Sequence, residues 1–330
     1  MPISFPDSEM QATDCSEQNN RKTAQNKEKT GERFRMKKQV KKAVIPAAGF
    51  GTRFLPVTKA VCKEMLPIVD KPTLQYIVEE AVASGIEDIL VITGRNKKIL
   101  EDFFDYTPEL DALLEKDGKE EFLQISRKME KMANIYYVRQ KHPVGFANAI
   151  QYAKAFTGDE PFAILLGDDI IYTDENTKPG IKQLIDCYND TGASTVAVMQ
   201  VEDRDISKYA NIKAEEIGPN RFRIEKIVEK PRVSEKFSND AVIGRYVVES
   251  DIYDIISKTP ASPSGEVYFT DALGMLAKQG RLVGCRFDGK RYDAGNKLEF
   301  LQANVEYALR DKALCDPFRE YILSLAEKLR

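Results

Sequence analysis

Residues 42–67 read KAVIPAAGFGTRFLPVTKAVCKEMLP. The stretch opens on Ala43-Val44-Ile45, an apolar run suited to a strand buried on both faces. It breaks into Pro46-Ala47-Ala48-Gly49-Phe50-Gly51, where small residues let the backbone pass close to a ligand. Thr52 and Arg53 follow, then Lys59 and Lys63 before Pro67. A buried strand, a glycine-rich turn and three cations in succession suit a polyphosphate: backbone N–H groups cradle it and the cations neutralise its oxygens.

Two familiar phosphate loops do not fit. The dinucleotide fingerprint G-x-G-x-x-G needs a third glycine where Phe54 stands. The Walker A run G-x-x-x-x-G-K-[ST] is absent from the chain.

Outward from this stretch, short apolar runs alternate with helical patterns. Strands are expected at 43–46, 88–93, 135–138, 162–166 and 195–201. Helices are expected at 74–83, 97–114, 116–132 and 146–156. Such alternation means βαβ units and a mostly parallel sheet, with ligands beyond the carboxyl ends of the strands. The second half suggests a hairpin of 212–217 and 222–228 about Gly218-Pro219-Asn220. Further strands are expected at 241–248 and 283–287, and helices at 251–257, 298–308 and 317–328. The expected fold is α/β, a Rossmann-like mixed, mostly parallel sheet flanked by helices, with a smaller lobe added by the second half. The expected organisation is a disordered polar tail at 1–38, a main α/β domain at 39–310 and a C-terminal helix at 311–330.

Composition removes several classes of function. The chain has 330 residues, is 42% hydrophobic and 31% charged, and has a net charge of −3, which gives no reason to expect nucleic acid as a partner. Five scattered cysteines without a C-x-x-C argue against a disulfide framework or zinc cluster and for a reducing, cytoplasmic setting. His142 is the only histidine, so a multi-histidine metal site is impossible. No apolar run approaches the ~20 residues that span a bilayer. Asp7 and Glu9, without an apolar core, do not read as a secretory signal.

Four further runs stand at the ends of expected strands. Gln140 offers a donor and an acceptor that can pair with the imide edge of uracil or thymine, and Gly145 leaves room for a flat base. A strand-end glutamine is as readily solvated. Gly167-Asp168-Asp169 empties an apolar strand into a carboxylate pair, suited to magnesium or to a simple turn. Ile227-Val228-Glu229-Lys230-Pro231 could be only a solvated ion pair, and Asp293 in Lys290–Gly295 only a turn residue.

Taken together, G-x-G-T-R-x-L-P, K-E-M-L-P, V-E-K-P and R-Y-D-x-G resemble the signatures of the sugar-nucleotide pyrophosphorylases, and the wording is closest to the bacterial uridylyltransferases. The resemblance runs from about residue 41 to 309 and meets the motifs in family order. It implies that Ala48, Gly49, Gly51, Thr52, Gln140 and Gly145 bind the nucleotide, and that Arg53, Lys63 and Lys230 are catalytic. It implies that Gly244, Glu229, Lys230 and Glu266 receive the sugar phosphate, with Asp271 a weaker candidate, and that Asp168 and Asp293 hold Mg²⁺. Cys62, Asn148, Asn296, Tyr268 and Phe269 depart from the family's usual residues and bear on sugar and base choice.

The implied reaction takes UTP and glucose 1-phosphate to UDP-glucose and pyrophosphate in a homodimer or homotetramer. Thymidylyl transfer, another sugar 1-phosphate and a non-catalytic sensor are the alternatives. A phosphate monoester has a second pKa of about 6, so the nucleophile is already ionised and needs no general base.

Overall fold

The run at 43–45 does form a central strand. In the computed structural model, which describes Met1, residues 38–263 and residues 265–330, β1 spans Lys42–Ala47. The expected tail therefore lies almost wholly outside the described residues. Beyond β1 come β2 (Pro67–Ile68), β3 (Lys71–Pro72), β4 (Asp88–Thr93), β5 (Asn134–Arg139), β6 (Phe162–Leu165) and β7 (Asp169–Tyr172). The second half adds β8 (Ser194–Gln200), β9 (Ala210–Gly218), β10 (Arg221–Val228), β11 (Asp240–Val248), β12 (Leu282–Arg286) and β13 (Lys290–Asp293).

Nine strands make one sheet in the order β5-β4-β1-β6-β11-β8-β12-β10-β9. The β5-β4-β1-β6 half is parallel, as short apolar strands between helices require. The strands of the second half extend the same sheet, joining β6 through antiparallel β11. The β9–β10 hairpin turns where Asn220 takes a left-handed φ of 58°.

Period-two alternation sends Val44, Leu90, Ile92 and Ile164 to one core and Ala43, Ile45, Ile89 and Val91 to the other. The second core is closed by α1 (Thr73–Ala83) through Leu74, Ile77, Val78 and Ala81. A separate ribbon pairs β7 with β13 in the register Asp169↔Asp293. Its Ile170 and Tyr292 pack with Ile68 and Ala303 in a third, smaller core.

The remaining helices differ from expectation in informative ways. The stretch 97–132 is three helices: α2 (Ile99–Asp102), α3 (Pro108–Lys116) and α4 (Glu120–Glu130). Pro108 starts α3 because its missing N–H costs nothing in a first turn, and Gly118 breaks the chain at φ 63°. The stretch 146–156 divides into α5 (Phe146–Gln151) and α6 (Lys154–Thr157). Two helices were not expected, α7 (Gly180–Thr191) and, after α8 (Ile252–Lys258), α9 (Phe269–Lys278). The chain ends in α10 (Lys297–Ala308) and α11 (Cys315–Lys328). Asn296 caps α10, its Oδ1 accepting from the N–H groups of Leu298 at 2.9 Å and Glu299 at 3.4 Å. Asparagine and aspartate cap helices about equally well, which accounts for the departure at this position.

Candidate active site

The strand ends meet at one cleft of about 740 Å³. β1 delivers Ala48 and Gly49, β5 delivers Gln140, β6 delivers Asp168, β10 delivers Glu229 and Lys230, and β13 ends on Asp293. Arg53, Lys63, Gly145, Gly244 and Glu266 also line it. Gly51, Thr52 and Asp271 are not part of its wall. Gly51 shapes the loop from behind, with a left-handed φ of 64° that glycine adopts without strain. The Thr58 hydroxyl donates to the Gly51 carbonyl at 2.9 Å and holds that turn.

One wall carries the glycine loop and Lys63. A Cβ placed on Gly49 would meet only the end of the Lys63 side chain, at 3.8 Å, so the loop is open toward the cleft. Lys63 reaches across to an ion pair with Asp168. Burial works against its ammonium, but Asp168 and Glu64 outweigh that and hold its pKa above the ordinary lysine value. Behind it lies a buried pair that sequence reading passed over. Lys97 Nζ donates to both Glu64 carboxylate oxygens, at 2.9 and 2.8 Å, and to the Ala47 carbonyl at 2.5 Å. One ammonium thus ties the end of β1 to the turn carrying Lys63. Glu64 is fully buried and would be costly without that partner.

The opposite wall brings Asp168 and Asp293 together. A Cβ on Gly295 would lie 2.7 Å from Asp168 Oδ2 and 2.9 Å from Asp293 Oδ1, so both carboxylates face one glycine. Burial pushes Asp293 up to about 6; Asp169 and Asp168 add to the shift and Arg291 opposes it. Arg291 is the cationic anchor of this wall. It holds Asp169 Oδ1 at 2.5 Å and the Tyr209 hydroxyl at 2.9 Å, and lies 3.8 Å from Asp293.

The donor set suits Mg²⁺, a hard cation that takes one or two carboxylates and completes its shell with phosphate and water. Among the described residues no three His, Cys, Asp or Glu side chains gather to hold a metal by themselves. A cation here would therefore need substrate oxygens.

On the far side, Lys230 stands just past β10 with a left-handed φ of 43°, its N–H bonded to the Tyr209 carbonyl at 3.1 Å. A non-glycine residue in that region is strained, and such strain gathers at functional sites. Glu229 accepts from the Thr270 hydroxyl at 2.5 Å, which orients its carboxylate. Gly244 is glycine for a packing reason: a Cβ would strike Asp169 and sit 2.8 Å from Leu166. Its N–H donates to Asp169 Oδ2 at 3.0 Å. Next to it, fully buried Arg245 joins Glu80 at 2.7 Å and the Asp169 carbonyl at 2.6 Å, tying β11 to α1 and β7. A Cβ on Gly145, at φ 102°, would strike the Glu266 carboxylate, so Glu266 closes over that turn. The departures at 268 and 269 also line the cleft, and Phe269 stacks edge-on with Phe146 at 5.0 Å and Tyr246 at 5.5 Å.

Sequence reading placed Asp169 in the carboxylate pair but missed Arg291, Tyr209, Thr270 and the Lys97–Glu64 pair as contributors. Arg291 stands two residues before Asp293 in the run 290–295 that it singled out, and that adjacency was the available signal. Nothing local marks Lys97, whose partners lie 33 and 50 residues away.

The family model described as nucleotidyl transferase matches residues 42–310. The UTP–glucose-1-phosphate uridylyltransferase of Bacillus subtilis is 46% identical over 293 residues, 88% of this chain and 99% of that protein. A uridylyltransferase of Staphylococcus saprophyticus is 45% identical over 288 residues, 87% of this chain and 99% of its own length. Among solved structures, a UDP-glucose pyrophosphorylase complexed with UDP-glucose superposes with a TM-score of 0.76 at 40% identity, covering 83% of this chain and 100% of its own. A UTP-bound enzyme from Acinetobacter baumannii does so at 0.80 and 34% identity, covering 87% and 100%.

Proposed function

The chain belongs to the nucleotidyl transferase family, and from that premise we propose that it transfers the uridylyl group of UTP to glucose 1-phosphate, releasing pyrophosphate. The observation that carries this reading is the meeting of Lys63, Asp168 and Asp293 between the glycine loop and the Glu229–Lys230 turn. The cleft thus offers an anion cradle, a carboxylate pair and a second cation, the set needed to bring two phosphates together.

A phosphate oxygen of glucose 1-phosphate attacks the α-phosphorus of UTP, and the bond to the leaving pyrophosphate breaks in line. The nucleophile is ionised at neutral pH, so the protein's task is alignment and charge compensation. The loop at 48–51 and Arg53 hold the triphosphate, and Lys63 stands over the reacting group. Lys230 and Glu229 seat the sugar phosphate and its hydroxyls. Asp168 and Asp293 would hold Mg²⁺, which when bound supplies Lewis-acid charge to the phosphate oxygens.

Release of pyrophosphate from a panel of nucleoside triphosphates and sugar 1-phosphates, with and without Mg²⁺, tests the reading. Turnover confined to UTP, glucose 1-phosphate and Mg²⁺ is expected. Preference for another pair would overturn the substrate assignment, and nucleotide binding without any turnover would overturn the enzyme itself. A homo-oligomer and a cytoplasmic setting belong to the same proposal. The first is supported by α11, which buries none of its residues, and the second by the unpaired described cysteines.

A further inference from the structure

Gln140 is 6% exposed, lines the cleft and carries an amide whose two ends do opposite chemistry. Its orientation can be settled from its neighbours. The Gly145 carbonyl, 3.4 Å away, can only accept, so the amide atom facing it is the nitrogen. The same nitrogen donates to Asn148 Oδ1 at 2.9 Å. Both N–H groups of Gln140 are thereby used inside the protein, and among the described residues nothing donates to its Oε1.

We infer that Asn148, from α5, locks the Gln140 amide so that only its carbonyl oxygen is offered to the base, which makes Asn148 a specificity-determining residue. This deepens the reading above and rests on it for the identity of the ligand. A lone acceptor at that point favours a pyrimidine whose N3 carries a hydrogen, as in uracil. Cytosine presents a lone pair at N3 and carries its donor on the neighbouring 4-amino group, so it meets the fixed oxygen only by sliding out of the position that uracil takes. Asn148 does not itself line the cleft and acts only through Gln140, so it is a positioning residue.

The test measures UTP and CTP binding to the full chain by calorimetry, without sugar phosphate, alongside turnover. The unaltered protein is expected to favour UTP over CTP by about 10²-fold or more, since an unmatched buried polar group discriminates at that level. Asn148→Ala removes the shorter of the two bonds that hold the amide, leaving only the 3.4 Å contact to Gly145, and should cut the ratio about tenfold with KM for glucose 1-phosphate within about twofold. Asn148→Asp keeps the acceptor and should keep the ratio. If the alanine variant folds poorly, Asn148→Thr, whose hydroxyl both donates and accepts, serves with the same expected direction. An unchanged UTP:CTP ratio in the alanine or threonine variant, or equal binding of the two nucleotides by the unaltered protein, overturns the inference. A protein that selects UTP through Asn148 yet transfers nothing to glucose 1-phosphate keeps this inference and loses the proposed reaction.

Discussion

Single side chains carry the charge in this cleft, and their removal gives the sharpest outcomes. Lys63→Ala and Lys230→Ala should each lower kcat/KM on the order of 10²–10³, as loss of one oriented charge-stabilising donor does. Steady-state kinetics on both substrates checks this; near-normal constants in either variant would remove that residue from the mechanism. Cys62 gives a different test. Burial, with the Glu64 carboxylate adding, pushes its thiol up to about 11. At pH 8 roughly one thiol in a thousand is then the reactive thiolate. Alkylation of Cys62, followed by peptide mass analysis, should be slow at that pH and gain about tenfold per pH unit up to its pKa. A flat profile would contradict the environment described. At this scale the sequence was most legible where a residue lines the cleft: Lys63, Asp168, Asp293, Glu229 and Lys230 were named from motifs and share it. It was least legible where a residue's identity is set by its protein neighbours. Gly244 was assigned to sugar space, yet its packing against Asp169 already demands glycine.

Elements are held to one another by a few buried ions rather than by apolar contact alone. Lys97→Met strands the Glu64 carboxylate and should cost about 3–5 kcal/mol in urea denaturation, the usual result of breaking a buried pair. Adding Glu64→Gln should recover much of that loss, because a neutral pair needs no counter-charge. A double variant as unstable as the single one would mean that Lys97 acts by packing. Strands of the first half were legible because each is an apolar run between turn signals. β7 and β13 were not, because each is only four residues long and their Asp169, Arg291 and Asp293 face the cleft instead of forming an apolar run. The long helix expected at 97–114 failed on Pro108, a start signal inside what looked like one periodic stretch. By contrast, α7 carried readable spacing in Ile181, Leu184, Ile185 and Tyr188, all of them buried.

For the molecule as a whole, α11 stands out: Tyr321 and Leu325, one turn apart, are exposed, as is Leu323. Sedimentation velocity should show a species larger than 37.3 kDa, and Tyr321→Glu with Leu325→Glu should shift it toward the monomer. A single monomeric species before substitution would make α11 an unpartnered helix. The ribbon register Asp169↔Asp293 has a last consequence, for the order in which the cleft comes into being on the ribosome. The glycine loop, Lys63, Gln140 and Asp168 all emerge while β13 is still unmade. A chain halted before β13 has the anion cradle but only one carboxylate of the pair. The carboxylate pair is therefore the last part of the cleft wall to be made, after every other strand of the fold.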